Sequence, residues 1–223
     1  MGEIRGKTNF YVDGFNLYYG CAKDTDLKWL NLGILFHVLY PKNEINRIRY
    51  FTALVDDSPD DPRKTRRQLT YVRALETIPN LTVHYGQFMS NTVKMPRADN
   101  PKELVEVIKT EEKGSDVNLA SYLLRDGYAG DYEVAIVVSS DSDLAEPIKI
   151  VKEELKLPVG VINPSPDKKR GSSKLFQIAT FKKRIRKNAL EVCQFPMVMK
   201  DVNGEFTKPV VWFTEEENQV NKR

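Results

Sequence analysis

The chain has 223 residues, with 34 Lys and Arg against 31 Asp and Glu and a formal net charge of +3. That length fits one domain with a full core, or one domain and a short appendage. So small a positive excess says less about a nucleic-acid partner than the uneven placement of the charge does. Neither cysteine, Cys21 or Cys193, sits in a C-x-x-C spacing, so both read as reduced thiols rather than a disulfide scaffold or a metal site. No apolar run nears the ~20 residues that span a bilayer, and Met1–Gly6 has neither the apolar stretch of a signal peptide nor the myristoylation pattern. The cytoplasm is the expected compartment, with no membrane partner.

Thr8–Val12 reads as a short strand of aromatic and β-branched residues that ends at Asp13-Gly14. Phe15–Cys21 begins a helix, and Leu27–Leu39 places Leu32, Leu35, Phe36 and Leu39 at helical intervals before Pro41 stops it. Arg47–Val55 is a second strand, Arg63–Thr77 a helix and Leu81–Phe88 a third strand. Met89–Pro101, with Pro96 and Pro101, is predicted as a surface loop or irregular hairpin, and Lys102–Thr110 as an edge strand. Gly114–Arg125 is a helix ended by Gly127 and Gly130. Val134–Val138, five apolar and mostly β-branched residues, is a strand buried on both faces. The Ser139–Asp143 turn leads into a helix over Leu144–Leu155, and Val159–Ile162 is the last parallel strand. Asn163–Ser173 is a connection, Lys174–Val192 a basic amphipathic helix, and Pro196–Trp212 a hairpin about Asn203-Gly204, with a frayed tail beyond.

Strands alternating with helices imply an α/β fold, a mostly parallel central sheet with helices on both faces. The expected organisation is one domain over residues 1–165 and a small extension over 166–223, a basic helix and hairpin packed on it. Ligands of such sheets bind at the carboxyl ends of the strands, where strand order reverses. Asp13 ends the first strand, and Asp141 and Asp143 follow the Val134–Val138 strand; Asp116 joins them if its helix starts at the same edge. Clustered carboxylates repel unless a cation neutralises them, and Mg²⁺ or Mn²⁺ suits an all-oxygen set. His37 and His84 lie far in sequence from the acidic turns, which argues against a Ser-His-Asp triad. Asp116, Asp141 and Asp143 each also fit a helix cap, whereas Asp13 follows a buried strand and opens a Gly-bearing turn; together with the strand-end rule the set favours function.

Asn16 is placed to hydrogen-bond a carboxylate or phosphate, and Lys113 to neutralise transition-state charge, though each also fits a solvated helix-start or surface residue. Glu111 and Glu112 read as an exposed face. Basic residues crowd Arg63, Lys64, Arg66 and Arg67, and again Lys168, Lys169, Arg170, Lys182, Lys183, Arg184, Arg186 and Lys187. They suit phosphate contacts or, equally, solvated faces.

Three blocks carry a family resemblance: Tyr11–Leu17 (YVDGFNL), Lys113–Ala120 (KGSDVNLA) and Val138–Leu144 (VSSDSDL). In this order and spacing, over about Lys7–Asn163, the chain resembles NYN domains of the PIN-like superfamily. The resemblance implies a Rossmann-like PIN fold and a metal-dependent ribonuclease site. It assigns acidic, metal-binding roles to Asp13, Asp116, Asp141 and Asp143 and supporting roles to Asn16 and Ser140. Two departures are Tyr122, near which relatives carry a further Asp, and Ser140 where a Gly is usual. The expected function is a Mg²⁺- or Mn²⁺-dependent endoribonuclease acting on RNA, single-stranded by preference, with homodimers common in the superfamily. The alternative is a catalytically weak RNA-binding or regulatory module. A small-molecule phosphohydrolase ranks lowest, because no D-x-D-x-T motif follows a strand.

Overall fold

A computed structural model describes residues 5–165 and 173–220. Six strands form one sheet in the order β3-β2-β1-β6-β7-β8: β1 (Lys7–Asp13), β2 (Glu44–Thr52), β3 (Leu81–Tyr85), β6 (Val134–Val138), β7 (Val159–Asn163) and β8 (Phe181–Arg184). Every neighbouring pair is parallel. The chain therefore needs helical crossovers, and these bury both faces. Period-2 alternation divides the core accordingly. Phe10, Val12, Ile136 and Val138 face one cluster, shared with α2 (Leu32–Leu39) and α3 (Lys64–Leu75). Tyr11, Ala135 and Val137 face another, shared with α4 (Ser115–Tyr128) and α5 (Ala145–Glu153). The α/β reading of the sequence is therefore the observed fold.

Strand order reverses between β1 and β6, the central pair, with Val12 opposite Val138. Because the strands are parallel, the turns after β1, β6, β7 and β8 all emerge at one edge. After β3, Gly86 redirects the chain into a hairpin that leaves the sheet, β4 (Gln87–Pro96) and β5 (Leu104–Lys113). A Cβ on Gly86 would sit 2.6 Å from the Lys113 carbonyl oxygen, so only glycine fits where the hairpin strands join. The span read as a loop or irregular hairpin is thus a regular one, and Lys102–Thr110 pairs within it instead of edging the sheet. It returns the chain to the start of α4 at the same edge as Asp13.

The structure departs from the sequence reading elsewhere. Leu27–Asn31 is not helical; Asn31 caps α2, its Oδ1 accepting from the Ile34 amide at 3.0 Å. After Asp13 comes one short helix, α1 (Gly14–Leu17), and a π-helical turn over Tyr18–Ala22. Lys174–Val192 is not one helix but α6 (Ser173–Ile178), β8 and α7 (Lys187–Val192). The backbone groups of β7 need partners along its open side. Phe181–Arg184 supplies them, and the Phe181 ring occupies the space beside Gly160. Long-range pairing thus overrides local helix propensity, and β7 is not the last parallel strand. A hairpin, β9 (Val198–Asp201) and β10 (Gly204–Thr207), turns at Asn203-Gly204 as expected. Beyond it the tail is ordered into α8 (Glu215–Val220), tied down by the buried Lys208 ammonium donating to Glu217 Oε2 at 2.8 Å.

Away from the ligand edge, a buried ion pair joins β2 to α4. Arg49 Nε donates to Asp126 Oδ2 at 2.6 Å, and the Tyr11 hydroxyl donates to the same oxygen at 2.9 Å. Removing one partner from such a pair costs ~3–5 kcal/mol, because a buried charge is left uncompensated. His84 stacks on Phe51 at 4.9 Å. Burial and the Arg49 charge push its pKa down to about 4, so it is a neutral structural ring.

A candidate acidic site at the strand ends

Asp13 is the last residue of β1 and the cap of α1. Its Oδ1 accepts from the Asn16 amide at 2.9 Å, and its Oδ2 accepts from Asn16 Nδ2 at 2.6 Å and from Ser139 Oγ at 3.0 Å. Gly14 follows because nothing larger fits: a Cβ there would lie 2.7 Å from both the Phe51 carbonyl oxygen and the Tyr50 hydroxyl. Ser139, fully buried, also accepts from the Asp141 amide at 3.0 Å, and so ties the turn after β6 to the end of β1. Asn16 makes a second tie, its Oδ1 accepting from the Ser140 amide at 3.2 Å and from Ser140 Oγ at 2.5 Å. Four side chains on two turns thus lock the switch point.

The remaining acids occupy distinct positions around this lock. Asp141 caps the 3₁₀ turn Ser142–Leu144, its Oδ1 accepting from the Asp143 amide at 2.9 Å. Asp143 is exposed. Asp116, half-buried in the first turn of α4, has its pKa pushed up to about 6. Burial is the main cause, followed by the negative charges of Asp13, Asp141, Glu112 and Asp143. Asp13 titrates above the usual carboxylate range because of its burial, against the hydrogen bonds from Asn16 and Ser139. The four Asp therefore share one field of negative charge. Among the described residues, however, no three His, Cys, Asp or Glu side chains converge into a ready-made metal cage.

Glu112 had read as exposed; it is half-buried and accepts from the Ser115 amide at 3.1 Å and Ser115 Oγ at 2.7 Å. It takes over the capping anticipated for Asp116 and adds a fifth acid to the field. Sequence reasoning singles out Ser140 and misses Ser139, whose place as the first residue after a strand buried on both faces is the available signal. Lys113 is on the exposed hairpin, 3.1 Å from Glu111 Oε2. Arg67 pairs with Asp61, and Arg66 is exposed on α3. Arg186 and Lys187 follow β8 at the ligand edge, whereas Lys168, Lys169 and Arg170 lie outside the described residues.

A parallel sheet with helices on both faces, and acids held at its switch point, defines the PIN-like class of α/β domains. The NYN domain family matches residues 7–180, and the chain belongs to that family. It is 29% identical to the 6-hydroxy-3-succinoylpyridine 3-monooxygenase HspA of Pseudomonas putida, over 95% of this chain and 77% of that one. A Vibrio parahaemolyticus protein of unknown function shares the fold with a TM-score of 0.55 at 16% identity, covering 84% of this chain and 98% of the other. Among the described residues, no helix is long and apolar enough to cross a membrane.

Proposed function

We propose that the protein is a divalent-metal-dependent endoribonuclease, with Asp13, Asp116, Asp141 and Asp143 disposed around a Mg²⁺ or Mn²⁺ ion. The observation that carries this reading is the tie through Ser139 that holds Asp13 at the end of β1 beside Asp141 after β6; the pKa of Asp116, raised by burial and then by the surrounding acids, accords with it. Hard carboxylate oxygens suit these ions. Acids that share a field without forming a cage suit a hydrated one, since Mg²⁺ keeps several waters and takes one or two carboxylates plus phosphate oxygens. The bound ion would polarise a phosphoryl oxygen and acidify a water. Asn16 and Ser139 hold the Asp13 carboxylate in one orientation, and Ser139 fixes the backbone of Asp141. Arg66, Arg186 and Lys187 supply exposed positive charge for the RNA backbone, while Lys113 is left to its pairing with Glu111.

A second reading rests on the Pseudomonas relative, named for an activity on a hydroxypyridine. One feature of this chain favours it, an aromatic-walled pocket directly beside Gly14. Under that reading the domain handles a small aromatic acid rather than a polymer.

Cleavage of a labelled single-stranded RNA with Mn²⁺, Mg²⁺ or EDTA tests the leading proposal. The proposal requires metal-stimulated cleavage by the wild type and its loss in Asp13→Asn and Asp141→Asn. RNA binding without cleavage by the wild type would instead identify an RNA-binding module. Equal cleavage by the wild type and the Asp variants would defeat the enzyme reading.

A further inference from the structure

Beside α1, with none of Asp13, Asn16, Ser139 or Ser140 in its lining, lies a pocket of about 160 Å³, a volume that suits one aromatic ring. Its walls come from distant parts of the chain. Tyr18 follows α1, Tyr50 lies on β2, Tyr71 on α3, and Trp212 on the 3₁₀ turn Val210–Trp212. Tyr71 stands edge-on both to Tyr50 and to Trp212, each at 6.4 Å between ring centres. Such a box offers faces and edges to a flat guest.

Two polar features go beyond what packing needs. The Tyr71 hydroxyl is used, donating to the Leu30 carbonyl at 2.9 Å. Tyr50 is 6% exposed, and its hydroxyl is not one of the sealed-off polar atoms without a partner, which among the described residues are Tyr40 Oη and Gln194 Oε1. The Tyr50 hydroxyl lies against Gly14 on the pocket wall, where it can donate to a guest in place of water. The rim carries Lys28, Lys64 and Arg67 against one acid, Asp61. Burial lowers the pKa of Lys28 against the opposing charges of Asp24 and Asp26, and its ammonium donates to the Thr25 carbonyl; with Arg67 paired to Asp61, Lys28 and Lys64 give this wall its positive excess.

We propose that this pocket binds a planar aromatic ring bearing an acidic group, with the ring against the walls formed by Tyr18, Tyr71 and Trp212, the Tyr50 hydroxyl donating to a ring substituent, and Lys28 and Lys64 facing the anion. That chemistry belongs equally to a nucleotide and to a free aromatic carboxylic acid. The two sources are separated by titrating the metal-free full chain with adenosine 5′-monophosphate or 6-hydroxynicotinate, each against its uncharged analogue, adenosine or 6-hydroxynicotinamide. Binding is read by Trp fluorescence and by calorimetry.

The proposal requires saturable binding of at least one acid with Kd below about 1 mM, and weaker binding of its uncharged partner. Tyr50→Phe should weaken it roughly threefold to tenfold, the range of one hydrogen bond. Lys28→Met should lower affinity for the acid and not for the neutral analogue. In Trp212→Phe calorimetric binding should persist while the fluorescence response shrinks to the part reported by Trp29, whose ring lies 6.2 Å from that of Tyr71. Nucleotide binding alone assigns the pocket to a base of RNA; binding of the pyridine acid alone assigns it to a free metabolite. Absence of saturation by both acids, or unchanged affinity in a Tyr50→Phe protein with wild-type melting temperature, overturns the proposal. This binding is measured without metal or RNA, so failure of the nuclease reading and failure of this one are distinguishable.

Discussion

The two sites beside α1 are built by opposite means. On one side, the acidic site draws on residues that end strands or open helices, held by direct hydrogen bonds among Asp13, Asn16, Ser139 and Ser140. On the other, the aromatic pocket draws on single residues from Tyr18 to Trp212, held by ring packing. Gly14 follows Asp13 and lines the pocket, and its missing side chain is what lets the Tyr50 ring and the Phe51 carbonyl pack against the start of α1. The comparison teaches that strand-end chemistry is a local property of the sequence, whereas an aromatic cavity is a property of the assembled tertiary structure.

The largest separation of the two sides should come from Ser139→Ala. It removes the donor to Asp13 Oδ2 and the acceptor of the Asp141 amide, a supporting loss expected to lower metal affinity or cleavage about 10–100-fold. Pocket binding should be unchanged; a parallel loss there would show that the two sides are one site. Gly14→Ala should damage both, because its Cβ collides with the Phe51 carbonyl and the Tyr50 hydroxyl. A destabilisation of about 1–3 kcal/mol, read by urea unfolding, is the expected cost of such overpacking.

A smaller effect sharpens the electrostatics. In the fold Asp116 titrates near 6, above the ordinary value of 3.8. The folded chain therefore holds this proton more tightly than the unfolded one between those values, and the contribution of Asp116 to stability declines as pH rises through them. In metal-free buffer at pH 7.5, Asp116→Asn should raise the melting temperature by a few degrees. The gain should disappear near pH 4, and added Mn²⁺ should stabilise the wild type more than the variant. The smallest effect is at His84. Its folded pKa of about 4 lies below the ordinary 6.5, so stability falls as pH drops from 6.5 towards 4. His84→Gln should flatten that slope in acid-melting curves and leave both binding sides unaffected.

This contrast also explains what was legible in the sequence. Val134–Val138 was readable because five apolar residues in a row have few other fates, and the strand-end rule then pointed to Asp141. The placement of Asp116 was not readable. It depends on the β4–β5 hairpin carrying the chain back to the ligand edge, and that hairpin is too exposed to show a clean burial pattern. Phe181–Arg184 was hidden for a related reason: four residues rich in Lys and Arg join a strand only because β7 offers an open side. Trp212 lies 198 residues beyond Gly14, and nothing in either neighbourhood signals that the two share a pocket wall.

The central claim is that the acids at the switch point hold one divalent cation between them. Electron paramagnetic resonance of Mn²⁺ titrated into the protein, without RNA, tests it most directly. The account predicts a bound population in the wild type that is displaced by Mg²⁺ and is reduced at least tenfold in affinity by Asp13→Asn and by Asp141→Asn. Free-ion spectra throughout the titration, or binding that survives both substitutions undiminished, would contradict it.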